Sequence, residues 1–387
     1  MIVNKFLLCF LGLIWGTAMC QTPGIYTITS EISGVEGTTY SVIIWNGLGK
    51  SVSKRDIPLQ DGQIHFQDTT SVPLMIRITL PDEKLYKRSG RGYYPVNSQH
   101  IFLVAEPGST IKLRGHLSDF AEVYPKGGQE NMILSAFLKA YHPVLNDAIN
   151  IRWKLSLDSN SMTAGEIAAE KKKRAQLNQR ANGMLRSFLE QHVSSIAGLY
   201  FLNSAYVRKT VSMDEVKNLI DRVDERYKNT GFYQVLTTRI EASQYDVGQP
   251  IFEIVSDRTP DGSRFTTADW AGTFYLIDFW GSWCMPCIKD IPFLKAFRQE
   301  LGERVAVLGI ASDTEEKWRP AIEKHALDWQ HILIGSGDQD FSTRLNVTGC
   351  PTKILVDPNG RIVYRSSGGG EASFKKMAEI VKNWKRE

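Results

Sequence analysis

The stretch Phe274-Tyr275-Leu276-Ile277-Asp278-Phe279-Trp280-Gly281-Ser282-Trp283-Cys284-Met285-Pro286-Cys287 decides how this chain is read. An apolar, strand-like run from Phe274 to Trp280 is followed directly by two thiols three positions apart. Ile288, Ile291, Leu294 and Phe297 then recur every third position, which predicts an amphipathic helix with Cys284 in its first turn. Free backbone N–H groups and the positive end of the helix dipole favour a thiolate there, and the thiolate is the nucleophile. Two other uses of such a pair are a zinc knuckle and a bridge that only staples the fold. Zinc takes four ligands, and no second Cys-x-x-Cys or spaced His pair accompanies this one. A bridge closing so short a loop constrains the unfolded chain little. Redox chemistry is the favoured use.

Outward from the pair, Val305 to Ala311 is a second near-continuous apolar run, as strands buried on both faces require. Helical patterns lie between and after the runs, which predicts an α/β fold with a central sheet. Asp357-Pro358-Asn359-Gly360 is a turn between two hairpin strands, Ile354 to Val356 and Ile362 to Tyr364. An amphipathic segment from Ala372 to Trp384 closes the region as a helix. Asp278 interrupts the first apolar run with a carboxyl group, which is costly to bury unless it is partnered or protonated.

These residues resemble the thioredoxin superfamily, in particular its secreted branch of TlpA/ResA-type disulfide reductases. Asp278 to Cys287 is similar to the family's strand, aromatic turn and redox helix, and Pro292 falls where the family kinks that helix. Val347-Thr348-Gly349-Cys350-Pro351-Thr352 looks like the segment that holds the family's cis-proline. Val247-Gly248-Gln249-Pro250-Ile251-Phe252 and Asp261-Gly262-Ser263 are similar to the lead-in of extracytoplasmic members. The resemblance implies a thioredoxin fold over 246–387 and a redox-active disulfide between Cys284, the nucleophile, and Cys287, the resolving thiol. It implies that Asp278 relays the proton of the second cysteine, with burial raising its pKa. It places substrate contacts at Trp283, Met285, Pro286, Cys350 and Pro351, with Trp283 packed over the site. Two departures stand out: Val305 to Ala311 contains no lysine, where cytoplasmic thioredoxins place one beside the acid, and Cys350 stands where the family has an aliphatic or hydroxyl-bearing residue.

The implied activity is that of a protein disulfide reductase. Its partners are disulfide-containing proteins and a membrane electron donor or another thiol-disulfide protein, and no metal or organic cofactor is called for. Met285-Pro286 is neither the Gly-Pro of reducing thioredoxins nor the Pro-His of strong oxidants, so an oxidase or isomerase is the alternative. A partner-binding module in which the redox pair is secondary is a further one. A thiol peroxidase is disfavoured, because Gly281 and Pro286 do not supply a Pro-x-x-x-Thr-x-x-Cys context.

The chain has 387 residues, enough for two or three domains with cores of their own, and its 42% hydrophobic and 23% charged residues describe a globular protein. Its net charge of +4 is too mild to imply nucleic acid. Residues 1–20 read as an export signal: Lys5, the apolar run Phe6 to Trp15, then Ala18-Met19-Cys20 before Gln21. The predicted location is periplasmic, with cleavage before Gln21, and the alternative is a lipoprotein anchored through Cys20.

Residues 21–128 read as a β-sandwich-like domain, with turn pairs Asn46-Gly47, Asp61-Gly62 and Pro107-Gly108 between short apolar runs. The arrangement looks like an uncharacterised β domain found ahead of secreted thioredoxin-like domains. Residues 129–245 read as spacer helices, with capping boxes at Thr163-Ala164-Gly165-Glu166 and Ser212-Met213-Asp214-Glu215. The run Glu170-Lys171-Lys172-Lys173-Arg174 reads as a solvated helix face, its other use being a docking patch for an acidic partner or membrane surface.

Overall fold

Strand β1 (Gly24–Ser33) alternates inward Tyr26, Ile28 and Ile32 with outward polar residues, the period-two pattern of a sheet with one face on a core. A computed structural model describes residues 22–48, 51–90 and 92–385 of the chain. The export signal, Cys20 and Gln21 lie outside them. Nine further strands follow: β2 (Thr39–Trp45), β3 (Val52–Pro58), β4 (His65–Thr70), β5 (Leu74–Thr79), the small hairpin β6 (Lys87–Ser89) and β7 (Gly92–Tyr94), then β8 (Ile101–Ala105), β9 (Thr110–Leu117) and β10 (Ala121–Lys126). They form two four-stranded sheets, β10-β9-β1-β4 and β3-β2-β5-β8. Tyr26, Ile28 and Ile111 of one sheet share a core with Val42, Ile76 and Leu103 of the other.

Six helices come next: α1 (Gly128–Asp158), α2 (Ala164–His192), α3 (Ile196–Val207), α4 (Met213–Ile220), the single turn α5 (Glu225–Lys228) and α6 (Gly231–Ala242). Both expected capping boxes form, Thr163 with Glu166 and Ser212 with Glu215. The helices are not a free-standing spacer. Phe137, Leu138 and Leu202 pack with Met75 of β5 and Phe102 and Val104 of β8, so the bundle closes the outer face of the second sheet. That is why every residue of Ile101–Ala105 is buried, the signature of a strand covered on both sides. Lys171, Lys172 and Lys173 are exposed, as a solvated helix face requires.

The C-terminal region begins with the short pair β11 (Val255–Ser256) and β12 (Phe265–Thr266) and continues through β13 (Phe274–Trp280), α7 (Met285–Leu301), β14 (Val305–Ala311), α8 (Glu315–Lys324), β15 (Gln330–Leu333), α9 (Phe341–Arg344), β16 (Thr352–Val356), β17 (Ile362–Ser367) and α10 (Glu371–Asn383). Its sheet runs β15-β14-β13-β16-β17, with β13, β14 and β15 parallel and β16 and β17 antiparallel to their neighbours. Ile277, Ile310 and Ile354 face one core, and Leu276, Val307 and Leu355 face another, under α7 and α10. The two cores explain the continuous apolar runs. Gly360 of the expected turn sits at φ 77°, a conformation that favours glycine. The helical bundle meets this region where Tyr206 Oη donates to Asn346 Oδ1 at 2.9 Å and Arg365 Nη1 donates to the Tyr245 carbonyl at 3.0 Å.

Candidate redox site

The central strand β13 delivers the chain to one end of the sheet, and α7 starts five residues later with Cys284 as its N-cap. Cys284 Sγ accepts a hydrogen bond from Cys287 N at 3.2 Å, occupying one of the free donors at the helix start. Pro286 stands in the first turn, where its missing N–H costs nothing and its fixed φ suits the helix. Cys284 and Cys287 are joined by a disulfide and rest on Trp280 and Trp318. Their exposures, 2% and 5%, do not distinguish them, and what sets Cys284 apart is its place as the helix N-cap.

Trp283, expected to pack over the pair, lies at the surface. Its indole N–H donates to the Ser312 carbonyl at 2.8 Å, and Trp283 is 60% exposed, as Met285 is at 61%. A Cβ at Gly281 would lie 2.6 Å from Trp283 Nε1, so this seat requires glycine. Ser282 N donates to Asp313 Oδ2 at 2.7 Å and ties the same loop to the end of β14.

The Cys350–Pro351 peptide is cis, where the sequence placed it. Cys350 is partly buried against the cluster that holds Cys284 and Cys287. Burial, reinforced by the Asp278 charge and opposed by Lys353, pushes the Cys350 thiol up to about 12, so it is held as the neutral thiol.

Beneath the pair lies a buried ionic cluster. Lys353, on β16, is fully buried; its Nζ lies 2.8 Å from Asp278 Oδ1 and 3.2 Å from Asp290 Oδ2 on α7. Asp290 Oδ1 in turn accepts from Gly370 N at 2.8 Å. Burial raises Asp278 above the usual carboxylate range, with Asp290 adding to the rise and Lys353 opposing it. Burial alone would lower Lys353, but the two carboxylates outweigh it and hold the ammonium charged. One cation between two carboxyls neutralises only one of them, and the other can take a proton without leaving net charge buried. The lysine absent from β14 is thus supplied from the other side of Asp278. A charged residue inside the apolar run Thr352–Val356 was its signal in the sequence.

Cys284, Cys287, Asp278, Cys350, Pro351, Trp283, Met285 and Pro286 therefore gather at one end of this sheet. Residues 246–381 match the Redoxin family model. The C-terminal region is a Redoxin domain. This Redoxin domain is similar to the thiol-disulfide oxidoreductase ResA of Bacillus thuringiensis subsp. konkukian, at 25% identity over 152 residues, 39% of this chain and 84% of the relative. It is also similar to a probable thiol:disulfide interchange protein, DsbE-2, of Pasteurella multocida, at 29% identity over 105 residues, 27% of this chain and 54% of the relative. Among solved structures, the thioredoxin domain of a thiol-disulfide oxidoreductase from Bacteroides vulgatus is 27% identical, with a TM-score of 0.32 over 35% of this chain and 98% of that one. No helix among the described residues is long and apolar enough to cross a membrane.

Proposed function

We propose that this protein is an extracytoplasmic thiol-disulfide oxidoreductase that reduces disulfides in partner proteins through Cys284 and Cys287. The observation that carries this reading is the pair at the start of α7, with the cis Cys350–Pro351 peptide beside it and Asp278 beneath. In the reduced enzyme the helix N-terminus favours the Cys284 thiolate. That thiolate attacks one sulfur of a partner disulfide, the partner's S–S bond breaks, and the second partner sulfur leaves as a thiolate and is protonated. Cys287 then gives its proton to Asp278 and attacks Cys284 Sγ, breaking the mixed disulfide and releasing the second partner thiol. The enzyme pair ends oxidised and the partner reduced; the partner sulfur that leaves first takes its proton from solvent, and the one that leaves last takes the Cys287 proton back from Asp278 or takes one from solvent.

Trp283 and Met285 form an apolar rim for the approaching chain, and the backbone at Cys350 and Pro351 offers strand-like hydrogen bonds to an extended segment. A membrane electron donor or another thiol-disulfide protein restores the dithiol. In this reading the chain divides into a β-sandwich over 21–128, helices over 129–245 and the redox domain from 246, with an export signal ahead of Gln21. The test is insulin reduction by the full chain with dithiothreitol as electron source. Precipitation of the insulin B chain faster than with dithiothreitol alone, and loss of the gain in Cys284→Ala, is the expected result. Equal rates for wild type and Cys284→Ala would defeat the reading.

A further inference from the structure

The register of the sheet places four residues in one row beneath α7. Lys353 pairs with Asp278, Asp278 with Gly309, and Gly309 with His331, on β16, β13, β14 and β15. Residues opposite one another on adjacent strands present their side chains to the same face. Gly309 has none, and the space is taken from the far side by the His331 ring. A Cβ at Gly309 would lie 2.4 Å from His331 Nδ1 and 3.0 Å from Trp280 Nε1.

His331 is 1% exposed and sits between Trp280 and Trp329, each ring centroid 5.5 Å away. Neither ring nitrogen has a protein partner, and neither do the indole nitrogens of Trp280 and Trp329. Burial, with the Arg298 charge adding to it, lowers His331 to about 3, so the ring is neutral and carries one donor and one acceptor. Buried polar atoms left unpaired are costly, and single internal waters commonly pair them. A void of about 10 Å³ lies where these groups converge, lined by Cys287, Asp278, His331, Trp280 and Trp329 among others. That is about the smallest space that holds one water, and its walls offer more than the two polar partners such a water needs.

We infer that His331 is a positioning residue for proton transfer at Cys287: it holds one water in this void, and the water passes the Cys287 proton to the Asp278 carboxylate. The inference rests on the oxidoreductase reading and adds a residue to it. Cys287 gives its proton to the water, the water gives one of its own to Asp278, and the Cys287 thiolate attacks Cys284 Sγ as the bond to the partner breaks. The relay leaves the water unchanged, and Asp278 returns its proton to the departing partner sulfur or to solvent. The charged and titratable groups around this path are Lys353 and Asp290 beside Asp278, the neutral Cys350 thiol, and Arg298 of α7, whose guanidinium lies 5.3 Å over the Trp329 ring.

The experiment measures single-turnover release of a trapped disulfide peptide from the full chain between pH 5 and 9. His331→Phe keeps an aromatic ring without nitrogens, and His331→Gln restores a donor and an acceptor. Release from His331→Phe should be slower at pH 7 by roughly tenfold or more, with the deficit closing as the pH rises and bulk base takes over; His331→Gln should recover most of the rate. Wild-type release and pH profile in His331→Phe would overturn the inference, and so would an equal, pH-independent loss in both variants, which is a packing effect. A high-resolution crystal structure of the wild type supplies a check free of mutation: a water bonded to His331 and Asp278 supports the inference, and an empty void overturns it. Either failure leaves insulin reduction by the wild type intact, whereas failure of the oxidoreductase reading abolishes that activity.

Discussion

Asp278 and Lys353 stand opposite each other in register on β13 and β16, with Lys353 Nζ 2.8 Å from Asp278 Oδ1 and no water-facing surface on the lysine. Asp290 reaches the same ammonium from α7 at 3.2 Å, so the redox helix and the strand after the cis peptide are tied through one buried cation. Removing the cation strands two buried carboxyls, and breaking a buried pair from one side costs about 3–5 kcal/mol. Lys353→Met should lose stability on that scale in guanidinium unfolding. Adding Asp278→Asn and Asp290→Asn to it should restore a good part of the loss. If the triple variant is as unstable as the single one, the lysine acts through its packing and not its charge.

The pH dependence follows from the sign of the Asp278 shift. Its carboxyl is raised in the folded protein, so the folded state binds that proton more tightly than the unfolded state does. The associated stability is fully present below the ordinary aspartate pKa and is lost as the pH rises through the raised folded value. Asp278→Asn removes the titration while Lys353 keeps Asp290 as a partner. Relative to wild type, the variant should therefore gain stability from pH 4 to pH 8. Parallel stability curves for the two proteins across that range would contradict the assignment.

Gly369 is a steric prediction. A Cβ there would fall on the Asp290 carboxylate, 1.7 Å from Oδ2, the oxygen that faces Lys353. Gly369→Ala should push Asp290 away from both Lys353 and Gly370 N and cost about 1–3 kcal/mol. Thermal unfolding measures it. A melting temperature equal to that of wild type would mean the Gly368-Gly369-Gly370 turn yields without disturbing the cluster.

Cys350 sits next to the pair but is held as a thiol by burial. Iodoacetamide at pH 8 should label it far more slowly in the native protein than in guanidinium, and Cys350→Val should leave the reduction rate within about twofold, since buried thiols behave as small hydrophobes. Rapid native labelling would instead make it a reactive third sulfur.

The pair, the acid at 278 and the cis-proline segment were legible because each is a local pattern: a spacing, a charge inside an apolar run, an X-Pro turn. Lys353 and His331 carry the same kind of signal, a polar side chain inside a buried strand. Assigning them to this site requires knowing that β16 flanks β13 and that β15 lies beyond β14 on its other side, which is a matter of sheet order and not of spacing. The anchor of Trp283 was hidden for a related reason. Its N–H is held by the Ser312 carbonyl, twenty-nine residues along the chain, a partner that no local pattern announces. The helices after Gly128 were legible as helices, but their docking followed only from the second, outward face of β5 and β8, where Met75, Phe102 and Val104 break the alternation.

The central claim is that Cys284 attacks and Cys287 resolves, and mixed-disulfide trapping in the full chain tests it most directly. Cys287→Ala, incubated with a disulfide-bonded peptide and quenched in acid, should accumulate a covalent adduct on Cys284, identified by mass spectrometry of the peptide digest. Cys284→Ala should accumulate little. Adducts on Cys287 in the Cys284→Ala protein, with none on Cys284 in the Cys287→Ala protein, would reverse the roles and contradict the account.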